Sequence, residues 1–174
     1  TSLQLASVSA HADSWHEIVI SEFGGPEVLQ KVEHSQAPEP APGEVRVKVL
    51  TASASFTDIM VRKGLYPGVQ LEPPFPPGYD MIGVVDKLGI GVEDFVVGQR
   101  VADLTVSGAY SEYMVLPAER LVALRHGVDD EAAVVLILSY TTAYQMMHRY
   151  AQVKPGQSIL IHGASGAMGT ALAQ

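Results

Sequence analysis

Apolar residues follow two different patterns in this 174-residue sequence, and the change comes near residue 128. From Trp15 to Leu124 they alternate with polar residues or form short β-rich runs separated by Gly and Pro, as a β-dominated domain requires. Beyond residue 128 the spacing becomes helical, and an aliphatic strand follows. We therefore expect a mainly β domain over residues 15–128, then helices and the start of an α/β domain over residues 129–174.

Local signals place the elements within these two units. The first 14 residues are mostly small and polar, without Lys or Arg, and are interpreted as a flexible N-terminal extension. Helices are expected from Ser55 to about Lys63, from Asp129 to Leu136 or Ile137, and from Thr141 to Ala151. The predicted β-strands of the first unit are His16–Ser21, Val28–Glu33, Glu44–Ala54, Ile82–Leu88, Arg100–Asp103, Ala109–Leu116 and Arg120–Ala123.

A glycine-rich turn near the C-terminal end carries the clearest functional signal. The short aliphatic run Ser158–His162 is typical of a buried parallel strand, and an apolar helix begins soon after it. A turn between such elements binds a dinucleotide diphosphate through backbone N–H groups and the helix dipole. The six-residue fingerprint falls on Ala164–Gly169, with alanine in place of its first glycine and Gly163 just outside. The alternative is a tight turn whose glycines only permit close helix–strand packing.

Composition narrows the classes of function. The 19 acidic and 11 scattered basic residues give a net charge of −8, which argues against a nucleic-acid partner. The longest aliphatic run has seven residues, Ala132–Leu138, against about 20 needed to cross a bilayer, so we expect no membrane span. The sequence has no cysteine, which excludes disulfides, thiolate metal sites and cysteine nucleophiles and is compatible with the cytoplasmic location that we expect.

Six collinear segments resemble the medium-chain dehydrogenase/reductase superfamily, specifically its zinc-independent quinone oxidoreductase branch. The first, Ala52–Tyr66, includes the pattern F-x-D-x-x-x-R-x-G-x-Y, and the second, Pro77–Val85, is similar to P-G-x-E-x-x-G-x-V. The others are Val97–Val101, Gly108–Tyr113, Asp130–Ala133 and Thr142–Gln145.

The resemblance implies a chaperonin-10-like (GroES-like) β-barrel followed by the first βα unit of a Rossmann-type domain. It implies NADP(H) as cofactor, with NAD(H) left open, held by the turn residues Gly163, Ala164, Ser165, Gly166, Ala167, Met168 and Gly169. Relatives dimerise through edge strands of the cofactor domain, so a homodimer is expected for the complete protein. Since one βα unit cannot build a parallel sheet, we expect this chain to be a fragment that is inactive by itself.

The same resemblance places Ser55, Tyr66 and Thr142 near the nicotinamide or the substrate. Ser55 stands where the branch usually has asparagine, and it is equally well interpreted as a helix N-cap. Tyr66 is a candidate proton donor, although a tyrosine after a turn can simply pack over the cleft. Thr142 could cap its helix or contact the nicotinamide amide. Arg62 and Lys63 are interpreted as a solvated helix end.

We expect no metal site. Zinc-dependent relatives use a cysteine and a G-H-E string as ligands, whereas this sequence reads Gly78-Tyr79-Asp80 and lacks cysteine. Asp80 is interpreted as a structural carboxylate that accepts backbone N–H bonds. The expected function is therefore hydride transfer from NAD(P)H to a quinone or an activated α,β-unsaturated carbonyl compound without zinc. The alternatives are an enoyl reductase of a fatty-acid or polyketide synthase and a non-catalytic binding module.

Overall fold

A computed structural model describes residues 14–68 and 70–174. The extension expected over residues 1–14 therefore lies outside the described residues, apart from Ser14.

The strands of the described chain form two antiparallel sheets. The first is a hairpin of β1 (Trp15–Ile20) and β2 (Leu29–His34). The second has five strands in the order β6-β3-β4-β5-β7, namely β3 (Glu44–Ala52), β4 (Met81–Leu88), β5 (Arg100–Asp103), β6 (Tyr113–Pro117) and β7 (Val122–Ala123).

The alternating pattern of the sequence explains why this sheet forms. Val45 and Val47 of β3 are fully buried, whereas Lys48 is exposed, so the strand presents one apolar face to the core. Val47 pairs with Val85 of β4, and side chains from β5 and β6 complete the core. Its buried members are Val45, Val47, Met81, Val85, Val101, Ala109, Met114, Leu116 and Leu121. The mainly β first unit predicted from the sequence is confirmed.

Strand bounds agree with the prediction to within a few residues, except where Ala109–Leu116 was expected. There, the regular strand β6 begins only at Tyr113. Ser111 forms an isolated bridge with Glu17, and the carbonyl of Tyr110 accepts a hydrogen bond from Ile18 N–H. Tyr110 and Ser111 therefore connect the β1–β2 hairpin to the larger sheet instead of extending the β3–β6 ladder.

Two smaller apolar clusters attach helices to the sheets. Helix α1 (Phe56–Arg62) contributes Val61 to a cluster with Ile20, Val28 and Phe75, against which Tyr66 packs. Helix α2 (Asp130–Val135) contributes Ala133 and Val134 to a cluster around Ile82. The Asp129 side chain accepts a hydrogen bond from Ala132 N–H at 2.9 Å, which confirms its expected role as N-cap.

The two helices expected after residue 128 are one uninterrupted helical stretch, so the predicted break near Leu138–Thr141 is wrong. Helix α2 continues into a π-helical segment (Leu136–Tyr140), helix α3 (Thr141–Tyr144) and a second π-helical segment (Gln145–Tyr150). The junction residues Val135, Tyr140 and Tyr144 all have right-handed helical dihedral angles. No Gly or Pro lies between Asp130 and Tyr150 to end the helix.

The predicted strand Ser158–His162 differs from the structure. Its residues have no ladder partner among the described residues, and Ile159 and Leu160 are 46% and 81% exposed. A strand needs a hydrogen-bonded neighbour, and the described chain supplies none here. The helix expected after the glycine-rich turn is present as α4 (Ala167–Ala173).

Candidate functional site

Tyr66 lies just after α1 and pairs with Tyr79. Gly64 has φ +68°, a left-handed conformation that suits glycine and turns the chain out of the helix. The two phenol oxygens are 3.2 Å apart, and the rings meet edge to face with centroids 5.9 Å apart. Burial, followed by the hydrogen bond to Tyr66, raises the pKa of Tyr79 to about 12. Tyr79 therefore remains a phenol across the physiological pH range.

The backbone before Tyr79 is fixed by Gly78. Its φ is +103°, and a Cβ at this position would lie 2.7 Å from the backbone nitrogen of Tyr110. Only glycine fits this close approach. The carbonyl of Tyr79 accepts a hydrogen bond from Val106 N–H at 3.0 Å. Tyr79 is thus held from both sides by main-chain contacts.

Asp80 is buried at the start of β4 and links the segment before α1 to the barrel. Its Oδ1 accepts hydrogen bonds from Ser53 N–H at 3.1 Å and Ser53 Oγ–H at 2.6 Å, whereas Oδ2 has no partner among the described residues. Burial raises the pKa of Asp80 despite these bonds, and the nearby Asp58 carboxylate raises it further. These contacts fit the structural role expected for Asp80.

Ser55 occupies the N-cap of α1. The Oδ2 atom of Asp58 accepts hydrogen bonds from Ser55 N–H at 2.7 Å and from Ser55 Oγ–H at 3.0 Å. The hydroxyl of Ser55 is therefore occupied by a residue of its own helix. A carboxylate in the first turn also interacts favourably with the helix dipole.

A cavity of about 490 Å³ opens beside Ser55. It is lined mainly by apolar groups together with Asp58, Arg62 and Tyr110. Burial, then the carboxylates of Asp58 and Asp80, raise the pKa of Tyr110. Arg62 is only 9% exposed, so the interpretation of this residue as a solvated helix end is wrong: it is buried and forms part of the cavity wall.

Thr142 lies in α3, and its hydroxyl donates a hydrogen bond to the carbonyl of Leu138 at 2.7 Å. The backbone N–H of Leu138 in turn helps to lower the pKa of Asp80, so the helical stretch approaches the barrel at that carboxylate. Helix α3 also packs against α4. Thr142 therefore lies between the Asp80 network and the helix that follows the glycine-rich turn.

Ser55, Tyr66 and Thr142 make no direct hydrogen bond with one another among the described residues. Of the three, only Tyr66 is hydrogen-bonded to the consecutive pair Tyr79 and Asp80, through the Tyr79 phenol. Ser55 lies two positions after Ser53, the hydrogen-bond partner of Asp80. Thr142 is bonded to Leu138, whose backbone is among the groups that lower the Asp80 pKa. Tyr79 was missed as a site residue from sequence. The sequence feature that could have identified it is its position, because zinc-dependent relatives carry the histidine of the G-H-E string there.

The geometry of the glycine-rich turn is compatible with both interpretations of its sequence, diphosphate binding and close packing of the helix. Gly163 has φ +70°, and its carbonyl accepts a hydrogen bond from Gly166 N–H at 3.0 Å. A Cβ on Gly169 would lie 2.2 Å from the Gly163 carbonyl oxygen, so this glycine is required for helix packing. Residues 162–167 are exposed, and a Cβ on Gly163 would meet nothing within 4 Å. An open, side-chain-poor backbone fits a diphosphate group.

In the described ranges 14–68 and 70–174, no three or more His, Asp or Glu side chains come together in a way that could hold a metal ion. None of the helices described there combines the length and apolar character needed to cross a bilayer.

Comparison with known proteins gives a family match within the barrel. Residues 41–126 match the alcohol dehydrogenase GroES-like domain family. The chain is 41% identical to a quinone oxidoreductase of Pseudomonas aeruginosa over 87% of its length, 38% identical to a 2-haloacrylate reductase of a Burkholderia species over 87%, and 35% identical to the synaptic vesicle membrane protein VAT-1 homolog of Rattus norvegicus over 90%. It covers 46%, 46% and 39% of these proteins, respectively.

Solved structures agree with these relatives. The human VAT-1 homolog-like protein superposes with a TM-score of 0.83 at 29% identity, covering 92% of this chain and 52% of that one. A quinone oxidoreductase of Pseudomonas syringae gives 0.80 at 40% identity, covering 90% and 47%. A mycobacterial protein complexed with NADPH gives 0.80 at 33% identity, covering 90% and 48%. The chain thus spans about half the length of the proteins that it matches.

Proposed function

The chain belongs to the medium-chain dehydrogenase/reductase superfamily, and we propose that it takes part in hydride transfer from NAD(P)H to a quinone or an activated α,β-unsaturated carbonyl compound without zinc. The observation that carries the proposal is the Tyr66–Tyr79 phenol pair. It supplies an O–H donor at the position where zinc-dependent relatives are expected to bind metal. Relatives named quinone oxidoreductase and 2-haloacrylate reductase support this substrate class.

The zinc-independent part of the proposal rests on donor chemistry. Zinc in proteins is bound by thiolate, imidazole and carboxylate groups. The residue at the histidine position is Tyr79, whose pKa is raised to about 12, so it is a neutral phenol at physiological pH. Asp80 is buried with one oxygen occupied by Ser53. These groups suit hydrogen bonding better than metal coordination.

The chain's own residues have separate roles in the proposed reaction. A reduced nicotinamide, when bound, supplies the hydride. The backbone of residues 163–169, which is exposed as far as Ala167, would hold the diphosphate of NADP(H) or NAD(H), and Thr142 would face the nicotinamide amide. Tyr66 donates a proton to the substrate oxygen that gains negative charge, and Ser55 lies at the cavity that opens beside α1. Hydrogen-bond donors of this kind stabilise developing charge most strongly where water is excluded.

The cofactor preference is NADP(H), supported by the NADPH found in a structure 33% identical to this chain. Titration of the protein with NADPH and with NADH, followed by nucleotide fluorescence, tests it. Tighter binding of NADPH is the expected result, whereas tighter binding of NADH would reverse the preference. The homodimer, the cytoplasmic location and the boundary at residue 128 also stay predictions.

The activity test compares two acceptors in the full-length protein. We expect kcat/KM to be higher for a 1,4-quinone than for an enoyl thioester, with oxidation of NADPH followed by absorbance. The second candidate, an enoyl reductase, is favoured by the JamJ enoyl reductase structure, which superposes with a TM-score of 0.81 at 25% identity. Preference for the thioester would select that function, and nucleotide binding without turnover of either acceptor would select a binding module.

A substitution tests the proton donor directly. Tyr66→Phe keeps the ring and removes the acidic O–H, so we expect kcat to fall about a hundredfold or more, in the range of general acid catalysis. The dissociation constant of NADPH should change little. Tyr150→Phe is the control, because Tyr150 is 82% exposed and has no role in the proposal. An unchanged kcat in Tyr66→Phe removes Tyr66 from the acid role.

A further inference from the structure

We propose that Tyr79 is a positioning residue that donates its O–H to Tyr66, directs the Tyr66 proton toward the substrate and stabilises the Tyr66 phenolate after proton transfer. This inference rests on the proposed function, since it assigns a second phenol to the same site. It concerns a residue that the resemblance does not assign, at the position where zinc-dependent relatives carry a histidine.

The geometry of the pair favours a single arrangement. The phenol oxygens are 3.2 Å apart, and the rings are close to perpendicular, at 87°. A phenol has one O–H and can accept as well as donate, so one member must donate to the other. Tyr79 is held by main-chain contacts at Gly78 and at its own carbonyl. Tyr66 packs against the cluster around Ile20, and among the described residues its hydroxyl has Tyr79 as its only hydrogen-bond partner, which leaves its O–H available for a substrate.

The direction of the hydrogen bond is set by the acid role proposed for Tyr66. Either phenol could donate to the other across this distance. Because a phenol has a single O–H, Tyr66 can give its proton to the substrate only when Tyr79 is the donor between the two. The bond to Tyr66 is also among the causes that raise the pKa of Tyr79, after burial, as expected for a donor.

The proton and electron balance of the step is simple. A reduced nicotinamide, when bound, would supply a hydride to the β-carbon of the acceptor. The C=C electron pair would then shift to the neighbouring C–C bond, and the π pair of the C=O bond would move onto the oxygen. The Tyr66 O–H bond breaks and its proton goes to that oxygen, which yields an enol. With a quinone as acceptor, this enol tautomerises to the quinol. The phenolate left on Tyr66 accepts the Tyr79 hydrogen bond until a solvent proton replaces the one transferred. Charge-assisted bonds of this type are stronger than neutral ones, so Tyr79 lowers the barrier more than it aids binding.

The first experiment needs no activity. Fluorotyrosine incorporated at position 79 of this chain brings the ionisation into a milder pH range, and ¹⁹F NMR follows it. In the Tyr66→Phe background, the ionisation midpoint at position 79 should fall by about half to one pH unit, which is the size of one hydrogen bond. Tyr150→Phe is the matched control and should leave the midpoint unchanged. A midpoint that stays or rises in Tyr66→Phe overturns the donor assignment, because an accepting Tyr79 would lose stabilisation of its phenolate.

The second experiment separates positioning from packing in the active protein. Tyr79→Phe should lower kcat about three- to tenfold with little change in the KM for NADPH, as expected for one lost hydrogen bond. The double variant Tyr66→Phe/Tyr79→Phe should be no slower than Tyr66→Phe alone, since both act on one proton. Additive losses overturn the inference even if the enzyme reduces quinones. If no acceptor is reduced at all, the proposed function fails, while the NMR result still decides whether Tyr79 is the donor.

Discussion

At the scale of single residues, Asp80 shows how one buried carboxylate organises several parts of the molecule. It accepts two hydrogen bonds from Ser53 and approaches the backbone of Leu138, yet its Oδ2 has no partner among the described residues. Burial raises its pKa, so the folded state binds a proton more tightly than the unfolded state. Between the unfolded pKa of about 3.9 and the raised folded pKa, stability falls as pH increases.

Asp80→Asn should remove this pH dependence. The amide keeps an oxygen for Ser53 and carries no charge, so the free energy of unfolding should change less between about pH 4 and pH 7 than in the unsubstituted chain. Urea unfolding at several pH values measures the effect. Asp94→Asn is a useful comparison, because Asp94 lies in an exposed loop after β4. Equal slopes for Asp80→Asn and the unsubstituted chain would contradict the prediction.

Gly169 is the residue on which the packing of the glycine-rich turn depends. Gly169→Ala places a Cβ about 2.2 Å from the Gly163 carbonyl oxygen and 2.4 Å from Ala164 Cα. Both are backbone atoms that cannot rotate away, so we expect a loss of about 1–3 kcal/mol in unfolding free energy. Gly166→Ala is the control, since its Cβ would come no closer than 3.4 Å to the Gly163 carbonyl oxygen. Equal losses of unfolding free energy in the two variants would show that the turn rearranges.

At the scale of elements, helix α1 positions two candidate site residues, Ser55 at its N-terminus and Tyr66 just after its C-terminus. Ser55 and Asp58 close its N-terminus, and the chain leaves its C-terminus through Gly64 toward Tyr66. Val61 anchors the helix to the cluster beneath the β1–β2 hairpin. Because α1 has only seven residues, it is too short to be stable without these contacts.

Ser55→Ala distinguishes capping from chemistry. It removes the hydroxyl but leaves the Ser55 N–H bond to Asp58, so unfolding free energy should fall by about 0.5–1 kcal/mol. Asp58→Ala removes both bonds and should cost more. If Ser55 only caps the helix, kcat in Ser55→Ala will stay within about twofold of the unsubstituted enzyme, and Ser55→Asn will behave in the same way. A larger fall in kcat without a larger loss of stability assigns Ser55 to the reaction.

At the scale of the whole molecule, the sequence predicted the strands and helix ends that local residue patterns determine. Alternation placed β3 and β4, and Asp129 marked the start of α2. Contacts between distant residues were not accessible in the same way. Tyr66 and Tyr79 are separated by 13 positions and Ser53 and Asp80 by 27, and the burial of Arg62 depends on walls formed by several segments. The aliphatic run 158–162 suggested burial, but burial requires partner strands that its own residues cannot specify.

The activity of the 174-residue chain by itself is a prediction at this scale. A dinucleotide crevice forms where neighbouring parallel strands diverge, and residues 158–162 have no ladder partner among the described residues. We expect no steady oxidation of NADPH with a quinone, and circular dichroism that nevertheless shows a folded chain. Joining the chain to the part of the P. aeruginosa quinone oxidoreductase that follows the matched region should give turnover. Steady activity of the unmodified chain would refute the expectation.

The unpaired segment has a consequence for how the molecule behaves in solution. Ile159 and Leu160 are exposed next to an apolar hollow that includes Met146, Met147 and Leu172. Among the described residues, nothing forms a backbone hydrogen bond with Ile159 or Leu160, so an extended peptide could pair with them as it would with an uncovered sheet edge. Concentrated samples should therefore self-associate, and Leu160→Lys should keep them monodisperse in light scattering. The segment that has no partner strand within one molecule is therefore expected to be the contact surface between molecules.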